Sequence, residues 1–116
     1  MNRCKVDYIV EEGSNSEWTW TKWNSGRLEM HGHKNTTQSH YTTVNGFYGF
    51  YTDISFPVRP KDIYSVITFQ PQVSNSFSIP SSILNRSVNG ARIYALSNVY
   101  NTQTIYWNYS VIGFCK

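Results

Sequence analysis

The sequence predicts an all-β fold, a β-sandwich of about seven to eight short antiparallel strands. Three observations carry that expectation. No window sustains an apolar face at i, i+3, i+4, i+7, and the helix formers Ala, Leu and Glu are scarce. Alternating apolar and polar runs recur roughly every ten residues, with turn residues between them. Aromatics make up 16% of the chain, nine Tyr and four Trp among them, and such rings pack well on pleated, half-buried surfaces. The 116 residues, 40% hydrophobic and only 15% charged, suit one packed core and leave no room for a second. Residues 1–6 read as an N-terminal segment and 7–116 as the single domain.

The clearest element is a hairpin. Glu17-Trp18-Thr19-Trp20-Thr21-Lys22-Trp23 and Arg27-Leu28-Glu29-Met30-His31-Gly32-His33 flank Asn24-Ser25-Gly26. A three-residue connection ending in Gly is a favoured hairpin loop, because Gly takes the left-handed conformation without steric cost. With Trp23 and Arg27 beside the turn, Trp20 falls near Met30 and Trp18 near Gly32. Trp18, Trp20, Leu28 and Met30 then share a core face. Glu17, Thr19, Thr21, Glu29 and His31 share a solvent face. The missing side chain at Gly32 leaves room for the Trp18 indole.

Residues 34–46 are polar and read as a loop with one short edge strand. Phe47-Tyr48-Gly49-Phe50-Tyr51 reads as a bent strand or an aromatic-tipped loop. Ile54 and Phe56 alternate with Asp53 and Ser55 until Pro57 and Pro60 stop the ladder. A strand over 62–69 ends at Pro71, a more polar one over 72–79 ends at Pro80, and 81–90 form a loop closing on Asn89-Gly90. Strand 91–98 points Ile93 and Ala95 one way and Tyr94 and Leu96 the other. The last strand, 104–114, sets Ile105, Trp107, Tyr109 and Val111 opposite Tyr106, Asn108 and Ser110. Strands apolar on both sides, in so short a chain, imply that one outer face is covered. A partner subunit is the simplest cover.

The formal charge is +3, but Lys5, Lys22, Arg27, Lys34, Arg59, Lys61, Arg86 and Arg92 never form a run. A nucleic-acid footprint needs clustering, so no such partner is expected. No apolar stretch approaches the ~20 residues of a membrane helix, so no membrane insertion is expected. No apolar h-region follows Met1-Asn2-Arg3-Cys4-Lys5, and no signal peptide is expected. A bridge between Cys4 and Cys115 would need an N-terminal strand beside the C-terminal one. In a reducing cytoplasm two free thiols are the expectation.

Asp7-Tyr8-Ile9-Val10-Glu11-Glu12-Gly13, followed by Trp18-Thr19-Trp20-Thr21-Lys22-Trp23-Asn24-Ser25-Gly26, resembles the signature of C-terminal domains in phage and prophage tail-fibre and minor tail structural proteins. The ending Ile112-Gly113-Phe114-Cys115-Lys116 is similar to the closing motif of that family, while Glu29-Met30-His31-Gly32 departs from its usual "E-C-W-G". The resemblance implies a homotrimeric head at the distal end of a longer fibre, joined to the rest of the tail and touching the host surface. It places the domain in the virion, assembled in the bacterial cytoplasm. Residues 1–6 would then be a fibre junction, the cut end of a longer chain or the start of a short separate subunit.

The residues offer three kinds of chemistry. His31-Gly32-His33 is the candidate metal pair, since imidazoles two apart on a strand project to one face and a threefold axis would gather six nitrogens. The alternative is two exposed surface histidines, with Glu17 facing His33, and no metal or other cofactor is expected. The seven carboxylates, Asp7, Glu11, Glu12, Glu17, Glu29, Asp53 and Asp62, show no spacing that singles out a glycosidase pair. No nucleophile elbow, phosphate loop or metalloprotease motif occurs, so no enzyme is expected. Exposed-type aromatics and amides are the better candidates, because rings stack on sugars and amides select hydroxyl geometry. Loops carry binding more often than scaffold strands do. Loops 46–52 and 98–103 therefore nominate Tyr48, Tyr51, Tyr100, Asn101 and Gln103 as contacts to a bacterial surface glycan. The bland alternative assigns those rings to core or subunit interface. A structural trimerisation cap that binds nothing and a polysaccharide-degrading enzyme are the competing functions.

Overall fold

A computed structural model describes residues 7–73, 76–98 and 102–116, and these are all β. Nine strands run in order: β1 (Ile9–Ser14), β2 (Trp18–Trp23), β3 (Arg27–Gln38), β4 (Thr42–Val44), β5 (Phe47–Ser55), β6 (Val66–Val73), β7 (Ser78–Leu84), β8 (Gly90–Ser97) and β9 (Gln103–Phe114). They form two antiparallel sheets, a five-stranded one in the order β1-β2-β3-β9-β6 and a four-stranded one in the order β4-β5-β8-β7. Buried residues of both sheets make one cluster, with Trp18, Leu28, Met30, Ile105, Trp107, Tyr109 and Val111 from the first and Phe50, Ile54, Ile93 and Ala95 from the second. Among the described residues no helix is long and apolar enough to cross a membrane.

The β2–β3 hairpin has the expected register, with Trp20 opposite Met30 and Trp18 opposite Gly32. Gly26 closes the turn at φ +96°. A Cβ at Gly32 would lie 2.3 Å from the Tyr109 ring and 2.9 Å from the Trp18 indole, so the glycine seats two rings. The turn is also tied to the chain entry. The Asp7 carboxylate accepts from the Ser25 hydroxyl at 2.6 Å and the Ser25 N–H at 3.0 Å. The hydroxyl bond, foremost, holds the Asp7 carboxyl below its usual range.

Trp18, Leu28 and Met30 are buried, and Trp20, on the same face, packs against them half-buried. It lies against β1, over Gly13, where an added Cβ would sit 2.2 Å from the indole, and its N–H donates to Glu11 at 3.1 Å. Trp20→Ala is accordingly expected to cost about 1–2 kcal/mol in urea unfolding, a partial share of the transfer energy of a large side chain. Glu17 does not face His33 with its side chain. Only its carbonyl meets the His33 N–H, while its carboxylate accepts the buried Tyr109 hydroxyl at 2.5 Å. Burial, then the Glu17 carboxylate, pushes the Tyr109 phenol far above its ordinary value. The proton-bound form is thus favoured by folding, so this contribution is full below pH ~10 and lost as pH rises beyond it. Tyr109→Phe is expected to flatten the alkaline loss of stability relative to wild type, read as melting temperature against pH.

Several strand limits differ from the sequence expectation. Residues 34–38 are strand, not loop: β3 pairs with β9 over its whole length, from Arg27 opposite Phe114 to Gln38 opposite Gln103. Backbone pairing against the apolar β9 holds this polar run extended. Pro71 does not end a strand, because β6 begins only at Val66 and passes through Pro71 opposite Trp107. It is tolerated because β6 is an edge strand, where a missing N–H breaks no ladder. Pro80 likewise sits within β7, also an edge, at a register shift between Pro80 and Ser82, so part of 81–90 is strand. Residues 47–55 are one continuous strand, joined to β4 through Asn45 and Gly46, both at positive φ, the arrangement of a tight two-residue hairpin. β1, not foreseen as a strand, pairs with β2. Cys115 is a free, half-buried thiol 3.3 Å from the Gly26 carbonyl, and Cys4 lies outside the described residues.

Candidate functional site

Strand parity decides where the nominated residues go. β5 and β8 pair with Tyr51 opposite Tyr94 and Asp53 opposite Arg92. Phe50, Thr52 and Ile54 of β5 and Ala91, Ile93, Ala95 and Ser97 of β8 are buried. The alternate residues Tyr51, Asp53, Arg92, Tyr94 and Leu96 therefore face outward. Tyr48 and Tyr51, three apart in one strand, point to opposite sides. Tyr48 packs against the core and the His40 ring, centroids 4.8 Å apart. Gln103 starts β9 in the other sheet, opposite Gln38. Tyr100 and Asn101 lie outside the described residues. The nominated set is thus not one surface.

What does assemble on the outer face of the four-stranded sheet is a tyrosine cluster around Tyr51. Tyr41 meets Tyr51 edge-on at 5.0 Å, Tyr41 and Tyr94 lie 5.6 Å apart, and Tyr51 and Tyr94 5.7 Å. Gly49 permits this, since a Cβ there would come within 3.2 Å of the Tyr41 ring. The Arg92 guanidinium lies 4.3 Å over the Tyr51 ring, a cation–π contact. It also forks onto Asp53, at 2.7 and 3.2 Å. That fork holds the Asp53 carboxyl below its usual range. Lys34 donates to the Asp53 carbonyl at 2.6 Å. Burial first, then the neighbouring Tyr94 phenol, raises the Tyr41 phenol above its ordinary value. A cleft of about 220 Å³ opens beside the rings, lined by Tyr41, Val44, Ser81, Ser82, Leu84, Tyr94, Ala95 and Leu96. Of the sequence-nominated residues that are described, only Tyr51 belongs to this cluster. The signal for the rest was the outward parity of Tyr94 in strand 91–98.

His31 and His33 do share the outer face of the five-stranded sheet, both exposed. His31 Nδ1 lies 2.9 Å from the Ser110 hydroxyl. A shallow hollow of about 380 Å³ beside it is lined by polar side chains, among them Thr68, Gln70, Asn108 and Ser110. Among the described residues, no group of three or more His, Cys, Asp or Glu could hold a metal ion.

No protein-family model matches this chain, and no curated protein matches it. Among solved structures, the fold is similar to the P. aeruginosa R1 pyocin fibre fragment comprising C-terminal residues 323–701, with a TM-score of 0.58 at 15% identity. The likeness covers 95% of this chain and 28% of that one. Nearly the whole domain is therefore a fold found within a fibre C-terminal fragment.

Proposed function

We propose that this domain is a tail-fibre-like module of a phage or phage-derived particle that adheres to a bacterial surface glycan without turning it over. The observation that carries this reading is the fold likeness to a pyocin fibre fragment across 95% of the chain. The resemblance of residues 7–13 and 18–26 to C-terminal domains of tail-fibre proteins supports it as well. The abundance of surface tyrosine adds to it, since Tyr supplies wide contact area at low entropic cost. In this reading the module works as a homotrimer joined to the rest of the tail, in the virion. Tyr48, Tyr51, Tyr100, Asn101 and Gln103 remain the sequence-nominated contacts, and Tyr51 lies in the outward tyrosine cluster.

The test is competition. Soluble domain is expected to block adsorption of the parent particle to its host cells, and light scattering behind a sizing column is expected to report about three subunit masses. Full adsorption at saturating protein would reject adhesion.

The second reading, a structural cap, is favoured by one observation. The outer face of the four-stranded sheet exposes Tyr41, Val44, Ile79 and Leu84 at 43–50%, which suits burial against another copy. A cap would form the oligomer yet leave adsorption untouched.

A further inference from the structure

We propose that the cleft beside Tyr41 and Tyr94 is a binding site for one sugar ring carrying an acidic group, such as a uronate or a phosphorylated hexose. The inference rests on the adhesion reading and deepens it by naming the place and the chemistry.

The cleft is built by an irregularity. In a regular strand, consecutive residues point to opposite faces. Ser81 and Ser82 nevertheless both line this cleft, because the β7 ladder slips between Pro80 and Ser82. Bulges commonly re-aim side chains at functional places on sheet edges. Here the bulge brings two hydroxyl residues into one cleft with Tyr41 and Tyr94. Aromatic rings together with hydroxyls suit the two surfaces of a pyranose, its C–H face and its hydroxyl edge. The volume, about 220 Å³, falls below the ~300–1,000 Å³ of pockets that enclose drug-sized ligands, and suits a single ring.

Charge narrows the ligand further. No carboxylate lines the cleft. Next to it, Arg92 is paired across the ladder with the cleft residue Leu84. An acidic substituent reaching past Tyr94 would meet Arg92, whose guanidinium is already oriented by the Tyr51 ring and by Asp53. The hollow beside His31 offers hydroxyls and amides, but its rings Phe69 and Tyr109 pack into the core, Tyr109 at 3% exposure.

The experiment uses an array of purified acidic and neutral bacterial surface polysaccharides, probed with the full chain and with Tyr41→Ala and Leu84→Glu. Both residues are about half exposed, so both variants are expected to melt like wild type. The expected result is binding to acidic members that weakens with added salt and falls about tenfold or more in each variant. Binding that survives both substitutions would overturn this site while leaving adhesion intact. Binding confined to neutral members would overturn the acidic preference. A fall in oligomer mass in Tyr41→Ala would assign the face to contact between copies instead. If the wild-type chain binds no polysaccharide on the array, the sugar site is rejected, and competition for adsorption separately decides the wider reading.

Discussion

Trp107→Ala is expected to remove about 3–5 kcal/mol of stability, the range for deleting a large core side chain and leaving a cavity. Trp107 is 1% exposed and sits in β9, which is flanked by β3 and β6 in the five-stranded sheet. Its indole packs near Phe69, centroids 6.5 Å apart, and donates to the Thr36 hydroxyl at 2.9 Å. Losing it removes transfer energy, leaves a void between the sheets and strips Thr36 of a partner. Against a typical total of about 5–15 kcal/mol, the variant should be near its unfolding midpoint at moderate temperature. Urea unfolding of wild type and variant gives the number directly. A loss below ~1 kcal/mol would show that the core is not centred on this ring.

The second large effect is expected from the smallest addition. Gly90 opens β8 opposite Ser55, and a Cβ there would lie 2.0 Å from the Ile54 carbonyl oxygen. That atom is backbone, so it cannot move aside without opening the β5–β8 ladder. Gly90→Ala should therefore cost about 3 kcal/mol, the upper end of overpacking. Gly46→Ala is the comparison. Gly46 has φ +84° with nothing within 4 Å of its would-be Cβ, so only the left-handed backbone cost of about 1–2 kcal/mol applies. If both alanines cost the same in urea unfolding, the close approach at Gly90 is not what requires glycine.

The hairpin could be read from sequence because two local signals agree there: a glycine-ended turn and four large residues at alternate positions. Trp18, Leu28 and Met30 then had one place to go. The continuation of β3 could not be read, because Lys34 to Gln38 carry no apolar alternation and owe their conformation to a partner strand about seventy residues later. Asn45-Gly46 was a legible hairpin signal that the polar surroundings concealed. Pro71 and Pro80 read as terminators because edge position is a property of the sheet, not of the segment. The relative placement of Tyr48 and Tyr51 was hidden for a related reason. Tyr48 and Tyr51 look adjacent in a string but face apart in a strand, and the rings that do meet Tyr51 come from two other segments. The outward face of strand 91–98 was legible, and Tyr94 and Leu96 do point away from the core.

Those two prolines have a consequence for how copies of this domain can meet. An unpaired strand border is a template for another chain, and a densely packed array of identical domains multiplies the hazard. Each border of the two described sheets is guarded. β1 carries adjacent Glu11 and Glu12, β4 is only three residues long, and β6 and β7 hold Pro71 and Pro80. Lateral strand exchange between neighbours is thereby disfavoured at these four edge strands. Copies are left to associate through side-chain faces, where register mistakes do not propagate into continuous intermolecular ladders.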